Sequence, residues 1–483
     1  MCGIIGIIGN QPVSRLVYHG LFSIQHRGQS SAGKLTYDGN IHIYKDAGLV
    51  RDVFNEEKKI DTPGFVGIGH TRYSTAGMDD ITSLKNNAQP EYLVNPFLAG
   101  VHNGNIYNGP EIAEITNRKP RTDCDIQWLL LTIADNLYKK EVNTDTIFNA
   151  CKTIHNQLKG SYSVLFVADS GDNPYLFAIT DPRKLRPLVL GKNKQGTYCL
   201  TSETRVFKKI NFEYVKDIPG GSVIIIDQKG NIFEKQLIKK PELPCMFEYV
   251  YFAKPDSRIN GRSVYKVRLE IGRRLAREHP TDADIVIPVP ESGRLYAIGY
   301  SREAHLPIDE GIMKDKAERS FIQQTQEHRD KIVEEGLSFL RSVLEGKKVI
   351  LLDDSIVRGT NIRKIVHGIK NAGAKEIHIR IGCPPLIAPC YLGIDMRSRK
   401  EFIARDKNGN IKTWTQIADE IQADSLEYIS MNGLKEAIGM DICKGCIDFP
   451  NGYPPEMQEQ VTQLFANDKK GTRAYECQKN IRS

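Results

Sequence analysis

No stretch of the 483-residue sequence is apolar for the roughly 20 residues that a membrane-spanning helix needs. Nor does a cationic leader with an apolar core stand at its start. Membrane insertion and secretion are therefore not expected, and a cytoplasmic location is, where thiols are kept reduced. Blocks of lysine or arginine are missing too. A formal net charge of +7 over this length offers no footprint for nucleic acid, although a few spare cations suit a substrate with several phosphates. Repeats and low-complexity tracts are absent. What remains is ordinary for a soluble globular protein of about two domains: 40% hydrophobic and 26% charged residues. The ten cysteines, in a reducing compartment, need a role other than disulfides.

Two patterns divide the chain. Up to about Ile238, short apolar runs are broken by glycine and polar turns. Strands are expected over 4–8, 65–69, 97–101, 163–168, 176–179 and 223–226, with a helix over 125–137. The stretch KKPELP, with two prolines and no periodicity, reads as a linker. Beyond it, helices over 264–278, 295–304 and 361–371 alternate with strands over 285–289, 349–352 and 377–381, around a charged segment at 314–336. Alternation of this kind predicts a parallel α/β sheet. Domains are expected over 2–240 and 241–470, followed by a tail over 471–483.

Cys2 follows the initiator methionine, which a small second residue allows to be removed. A free α-amino group beside a thiol is then a self-contained catalytic pair. The thiol attacks an acyl carbon and the amine, with an ordinary pKa of about 8, carries the proton. A buried cysteine can equally be a small hydrophobe. Three stretches favour chemistry: Gln25-His26-Arg27-Gly28-Gln29, His70-Thr71-Arg72-Tyr73-Ser74-Thr75 and His102-Asn103-Gly104-Asn105. Arg72 can grip a carboxylate in two places. Asn103 and the Gly104 N–H can face a developing oxyanion.

In this order, MCGI, QHRG, HTRYST and HNG resemble the glutaminase domain of the class II, N-terminal-nucleophile amidotransferases. That resemblance implies Cys2 as nucleophile and Asn103 with Gly104 as oxyanion hole. It also implies Arg72 and Asp123 as the groups holding the glutamine carboxylate and amine. Two details depart from the family: Asp125 stands where a glutamate is usual, and Asp181-Pro182-Arg183-Lys184-Leu185-Arg186-Pro187 lacks an internal glycine.

The second signal runs from Val349 to Thr360. A buried strand ends in Asp353 and Asp354, and a loop of Ser355, Arg358, Gly359 and Thr360 opens a helix. Such a loop cradles anions with N–H groups and hydroxyls at the positive end of the helix. The carboxylates suit sugar hydroxyls or a magnesium shell. A helix cap alone is the plainer reading, but two adjacent buried aspartates are a costly way to build one. The segment resembles the signature of type I phosphoribosyltransferases. By that resemblance residues 355–360 hold the 5-phosphate, Asp353 and Asp354 meet the ribose or Mg2+, and Ser292 lies in the pyrophosphate loop.

Both domains in this order resemble glutamine phosphoribosylpyrophosphate amidotransferase. Further matches are Cys245-Met246-Phe247-Glu248-Tyr249-Val250-Tyr251-Phe252 at the junction and Gly393-Ile394-Asp395-Met396 later. The implied architecture is an αββα nucleophile-hydrolase sandwich followed by a parallel-sheet phosphoribosyltransferase domain. The implied reaction makes phosphoribosylamine from phosphoribosyl diphosphate and glutamine, the ammonia being channelled between sites. Purine nucleotides as inhibitors and assembly as a homo-oligomer go with it. Cys245, Cys390, Cys443 and Cys446 resemble the iron–sulfur subclass and imply a [4Fe–4S] cluster, although zinc accepts four thiolates too. Cys124, Cys151, Cys199, Cys383 and Cys477 are read as ordinary thiols.

The closing loop departs most. Lys314-Asp315-Lys316-Ala317-Glu318-Arg319-Ser320-Phe321-Ile322 replaces a more basic run, and Glu334 and Glu335 stand where cations are usual. A carboxylate facing a diphosphate repels it by about a kilocalorie or more per close pair at intermediate dielectric. Arg329, Lys331 and Arg341 are the candidate compensating cations. Two readings compete with the purine-pathway one: an amidotransferase with another ammonia acceptor, and a regulator that senses a nucleotide.

Overall fold

The computed structural model describes residues 2–73, 81–122, 124–169, 171, 173–314, 336–396 and 402–467. The closing-loop residues 315–335, Asp123 and the tail expected over 471–483 lie outside them. Four strands frame the first site: β1 (Gly3–Ile8), β2 (Val66–Arg72), β3 (Leu98–Ile106) and β4 (Gly160–Asp169). Among the described residues, β1 and β2 are adjacent in a seven-stranded sheet, and β3 and β4 in a six-stranded one.

Strand β1 explains the run GIIGII. Antiparallel partners flank it on both sides, β2 and Tyr198–Thr201, and both of its faces are buried. Successive side chains point to opposite faces. Ile4 and Ile8 accordingly enter the core between the two sheets. Ile5 and Ile7 join Val17, Leu21 and Phe207 on the outer face, where helices cover them. Beyond the second sheet, α1 (Ile126–Leu137) packs Leu129, Leu130 and Ile133 onto Phe166 and Ile225. Helix, sheet, sheet and helix form the four layers.

One expectation changes. The strands expected over 65–69 and 97–101 run further, to Arg72 in β2 and Ile106 in β3, so that the HTR and HNG motifs lie inside the ladder. Burial of these histidines is offset in part because one ring nitrogen of each finds a carbonyl, while His70 Nδ1 has no partner among the described residues. His70 Nε2–H donates to the His102 carbonyl at 3.1 Å, and His102 Nε2–H to that of Ser161 at 3.3 Å. Burial pushes both imidazoles down to about 3, so they stay neutral.

Residues 237–244 carry no helix or strand. After them, one turn of π-helix (Glu248–Phe252) leads to α2 (Val264–Glu278). The second half centres on a parallel sheet of β5 (Ile285–Pro288), β6 (Lys348–Asp353), β7 (Glu376–Ile381) and β8 (Ser425–Tyr428), in that order. Its strands are buried on both faces, as parallel sheets require. Val286, Ile350 and Leu352 pack under α2 and α3 (Arg294–Ala304), and Ile287, Val349 and Leu351 under α4 (Thr360–Asn371). The Asp353-Asp354 pair and the loop ahead of α4 therefore stand at the carboxyl edge of the sheet, where open α/β sheets bind ligands.

Candidate active site

Cys2 directly precedes β1 and is 9% exposed. Its backbone N–H donates to Asn103 Oδ1 at 3.1 Å. That bond fixes which way the amide faces, because Nδ2 is then left buried with no partner among the described residues. An unpaired buried donor is costly unless something uses it. Gly104 follows at φ +154°, where a Cβ would stand 1.9 Å from the Ser161 carbonyl oxygen. Only glycine fits. Gly28 packs as tightly, a Cβ there lying 2.4 Å from the Arg72 carbonyl carbon.

Arg72 ends β2 beside this group and is 5% exposed. Asp125, the residue that departs from the family, caps the site from below: its Oδ2 accepts the Ile106 N–H at 2.9 Å. Burial pushes its carboxyl up to about 7, against the pull of that bond and of Arg72. The second departure is also accommodated. Lys184 takes the missing glycine's place at φ +52°, with Nζ 4.0 Å from Asp217 and 3.9 Å from Glu242.

Arg27 is the residue whose environment could not be read from its motif. It is fully buried. Nε donates to the Cys2 carbonyl at 3.0 Å, one terminal nitrogen to Glu203 at 2.8 Å, and both to Glu248 at 2.9 and 2.7 Å. Glu203 also accepts from His26, Ser257 and the Lys254 N–H. The ring of donors holds its carboxyl far below the usual range despite burial.

In the second half, Ser292 Oγ donates to Asp353 Oδ1 at 2.6 Å, and Ser355 Oγ to Asp354 Oδ1 at 2.7 Å. Burial raises both carboxyls, and the charge of Asp353 raises that of Asp354 further. Gly293 reaches the strand end because its missing side chain leaves room: a Cβ would stand 2.0 Å from the Leu352 oxygen. A cleft of about 2170 Å³ is lined by Ser292, Asp353, Asp354, Ser355, Arg358, Gly359 and Thr360. The same cleft is lined by His26, Gln29 and Tyr73 from the first half, by Tyr251 and Phe252 from the junction, and by Arg341. The cleft of the second half is thus bordered by first-half residues next to the expected glutaminase group, whereas Cys2, Arg72, Asn103 and Gly104 are not among the residues that line it.

Cys245, Cys390, Cys443 and Cys446 line a small separate cavity with Arg186, Leu392 and Tyr453. Backbone pairing of Cys245 with Cys443 brings distant segments together there. Burial and neighbouring thiols raise Cys245, Cys443 and Cys446. Among the described residues, no group of three or more thiols, imidazoles and carboxylates is arranged to hold a metal ion. Between Cys446 and Tyr453 the chain folds into a turn, with the Lys444 N–H on the Gly452 carbonyl at 3.1 Å. Tyr453 still reaches the cysteine segment, donating to the Pro389 carbonyl at 3.0 Å and accepting the Tyr391 N–H at 3.1 Å. Cys124, Cys151, Cys199 and Cys383 are buried, and Cys477 lies outside the described residues. None of the described helices is long and apolar enough to cross a membrane.

Residues 266–384 match the phosphoribosyl transferase domain family. Amidophosphoribosyltransferase of Methanocaldococcus jannaschii is 42% identical over 95% of this chain and 98% of its own. That of Synechocystis sp. is 38% identical over 95% and 92%. The structure of glutamine phosphoribosylpyrophosphate amidotransferase from B. subtilis, complexed with ADP and GMP, superposes with a TM-score of 0.81 at 33% identity. It covers 94% of this chain and 97% of that one. At such identity over nearly the whole of both chains, this chain belongs to the amidophosphoribosyltransferases, the enzymes of the first committed step of purine biosynthesis.

Proposed function

We propose that Cys2 is the nucleophile of a glutaminase and that its ammonia reaches a phosphoribosyl diphosphate site at Asp353–Thr360. The observation that carries this reading is the seat of Cys2, whose N–H is held by Asn103 Oδ1 while Asn103 Nδ2 stays buried and unpaired among the described residues. His26, Gln29 and Tyr73 of the same half border the cleft lined by Ser292 and Asp353–Thr360. The thiolate attacks the glutamine amide carbon, and the oxyanion that forms is met by Asn103 Nδ2 and the Gly104 N–H. Ammonia leaves, a thioester remains, and water releases glutamate. Arg72 grips the α-carboxylate. The α-amine is assigned to Asp123, outside the described residues. Ammonia then attacks C1 of the ribose and diphosphate departs. Excluding water matters on the way, because ammonium has no lone pair to attack with. Residues 2–240 carry the first half-reaction and 241–470 the second.

The loop over Ser355, Arg358, Gly359 and Thr360 would bind the 5-phosphate, and Ser292 would lie under the diphosphate. Asp353 and Asp354 present the hard oxygen donors that suit magnesium or its waters, and Mg2+ would neutralise diphosphate charge there. The four thiols that line one cavity are the ligand type of a [4Fe–4S] group, which would have to draw them closer together and would tie their segments to one another. Purine nucleotides are reasonable occupants of the cleft, since the B. subtilis relative is complexed with ADP and GMP.

Glutamate release from glutamine by anaerobically purified protein, with and without phosphoribosyl diphosphate and magnesium, tests the reading. Stimulated hydrolysis with phosphoribosylamine formation supports it. Hydrolysis indifferent to the diphosphate would mean a different acceptor. Iron and sulfide analysis of the wild type and Cys390→Ser tests the cluster, which should be lost in the variant.

A further inference from the structure

The buried ion cluster around Arg27 joins parts of the molecule that the sequence separates by 221 positions. One end is the carbonyl of Cys2. The other is Glu248, the first residue of the π-helical turn, of which Tyr251 and Phe252 wall the phosphoribosyl cleft. The turn is gripped from its other side as well. Arg268, on α2, donates from Nε to the Tyr249 carbonyl and from a terminal nitrogen to that of Ala253, both at 2.8 Å. The charge of Arg268 also pulls the Asp354 carboxyl down, against burial and the charge of Asp353. A continuous line of hydrogen bonds therefore runs from Arg268 through the turn, Glu248 and Arg27 to Cys2.

Stability alone is a poor reason for such a line. A buried ion pair is often no better than apolar residues of the same volume, whereas its geometry is sharply directional. Arg27 anchors the carbonyl of the residue whose thiol must meet the substrate, and misplacing a reacting group by about 1 Å can cost about a hundredfold in rate.

We propose that Glu248 is a positioning residue for the glutaminase: it holds Arg27 against the carbonyl of Cys2, and so ties the seat of the nucleophile to the turn that walls the phosphoribosyl cleft. This rests on the reading of Cys2 as nucleophile.

The test uses the full-length protein and three readouts: glutaminase kcat and KM, phosphoribosylamine synthesis from added ammonium salt, and the rate at which a chloroketone analogue of glutamine alkylates Cys2. Glu248→Gln should lower glutaminase kcat about tenfold or more and slow alkylation in step. The KM for glutamine and ammonia-dependent synthesis should stay within about twofold. A parallel fall of both syntheses, or an unchanged glutaminase, overturns the proposal. Should the single variant fail to fold for want of a partner to Arg27, Arg27→Met/Glu248→Leu removes both charges. Positioning requires that this double variant still lack glutaminase; recovery to the wild-type rate overturns it. Cys2→Ala separates the two claims. Glutaminase surviving in it defeats the nucleophile assignment, whereas its loss beside an active Glu248→Gln defeats the positioning role alone.

Discussion

The side-chain amide of Asn105 donates a 2.9 Å hydrogen bond to the carbonyl of Tyr391, 286 positions away. Ser161 Oγ makes a parallel bond of 2.7 Å to the carbonyl of Leu392. Gly393 comes so close that a Cβ on it would lie 3.0 Å from the Gly104 oxygen. The segment that carries Cys390 is thus laid directly on the strand that carries Asn103 and Gly104.

Asn105→Ala leaves the buried Tyr391 carbonyl without its donor, a loss of about 1–3 kcal/mol. The urea midpoint should fall with the m-value unchanged. Glutamine-dependent synthesis should fall more than synthesis from ammonium salt, because the disturbance sits on β3. Equal losses in the two assays would contradict this.

Gly104→Ala brings two penalties. The backbone at φ +154° is one that side chains rarely adopt, and the new Cβ would press on the Ser161 oxygen. Strain of this kind costs about 1–3 kcal/mol, and the N–H aimed at the oxyanion must move. We expect glutaminase to drop about a hundredfold or more with ammonia-dependent synthesis preserved, as read from steady-state kinetics with each nitrogen donor.

Asp125→Asn exposes the linkage of a raised carboxyl. In the folded protein the group titrates at about 7, against 3.8 when unperturbed. The folded state therefore holds a proton that the unfolded chain has lost, and the contribution is complete below pH 3.8 and disappears as pH rises through about 7. Asn keeps an oxygen for the Ile106 N–H without carrying the charge. Its stability relative to wild type should climb between those two values by at most about 1.4 kcal/mol per pH unit and then level off. Denaturant melts across that range would show a flat difference if the carboxyl were not raised.

Lys184 combines a backbone that favours glycine with an ammonium between two carboxylates. Lys184→Gly loses the charge but relieves the backbone. Lys184→Ala loses the charge and keeps the strain. Alanine should be the less stable of the two by about 1 kcal/mol, the reverse of the order in a helix. Chemical denaturation of both variants measures the difference directly.

Much of this was legible beforehand. The strand expected over 4–8 is Gly3–Ile8, and the one expected over 349–352 is Lys348–Asp353, with Asp354 directly after it. The helix over 264–278 coincides with Val264–Glu278. The strands that carry the HTR and HNG motifs end later than the expected 69 and 101, because their apolar runs stop there while the ladder continues to Arg72 and Ile106. Here neighbouring strands supply the histidines with carbonyls. Glu203 carries no sequence signal, and Glu248 appeared only as part of the matching junction segment. A buried carboxylate is recognised by its partners, and those lie elsewhere in the chain.

The sequence by itself determined the alternating strands and helices, the glycines that no other residue could replace, and the order of the two reactive segments. Each depends on local rules: side-chain period, permitted φ, and which residue types can perform a given reaction. Tertiary structure alone decided that Arg27 sits between Cys2 and Glu248, that one cleft borders both halves, and that Cys390 is carried onto the strand of Gly104. Those relations depend on distances between residues hundreds of positions apart, which only the packing of one domain against the other can set.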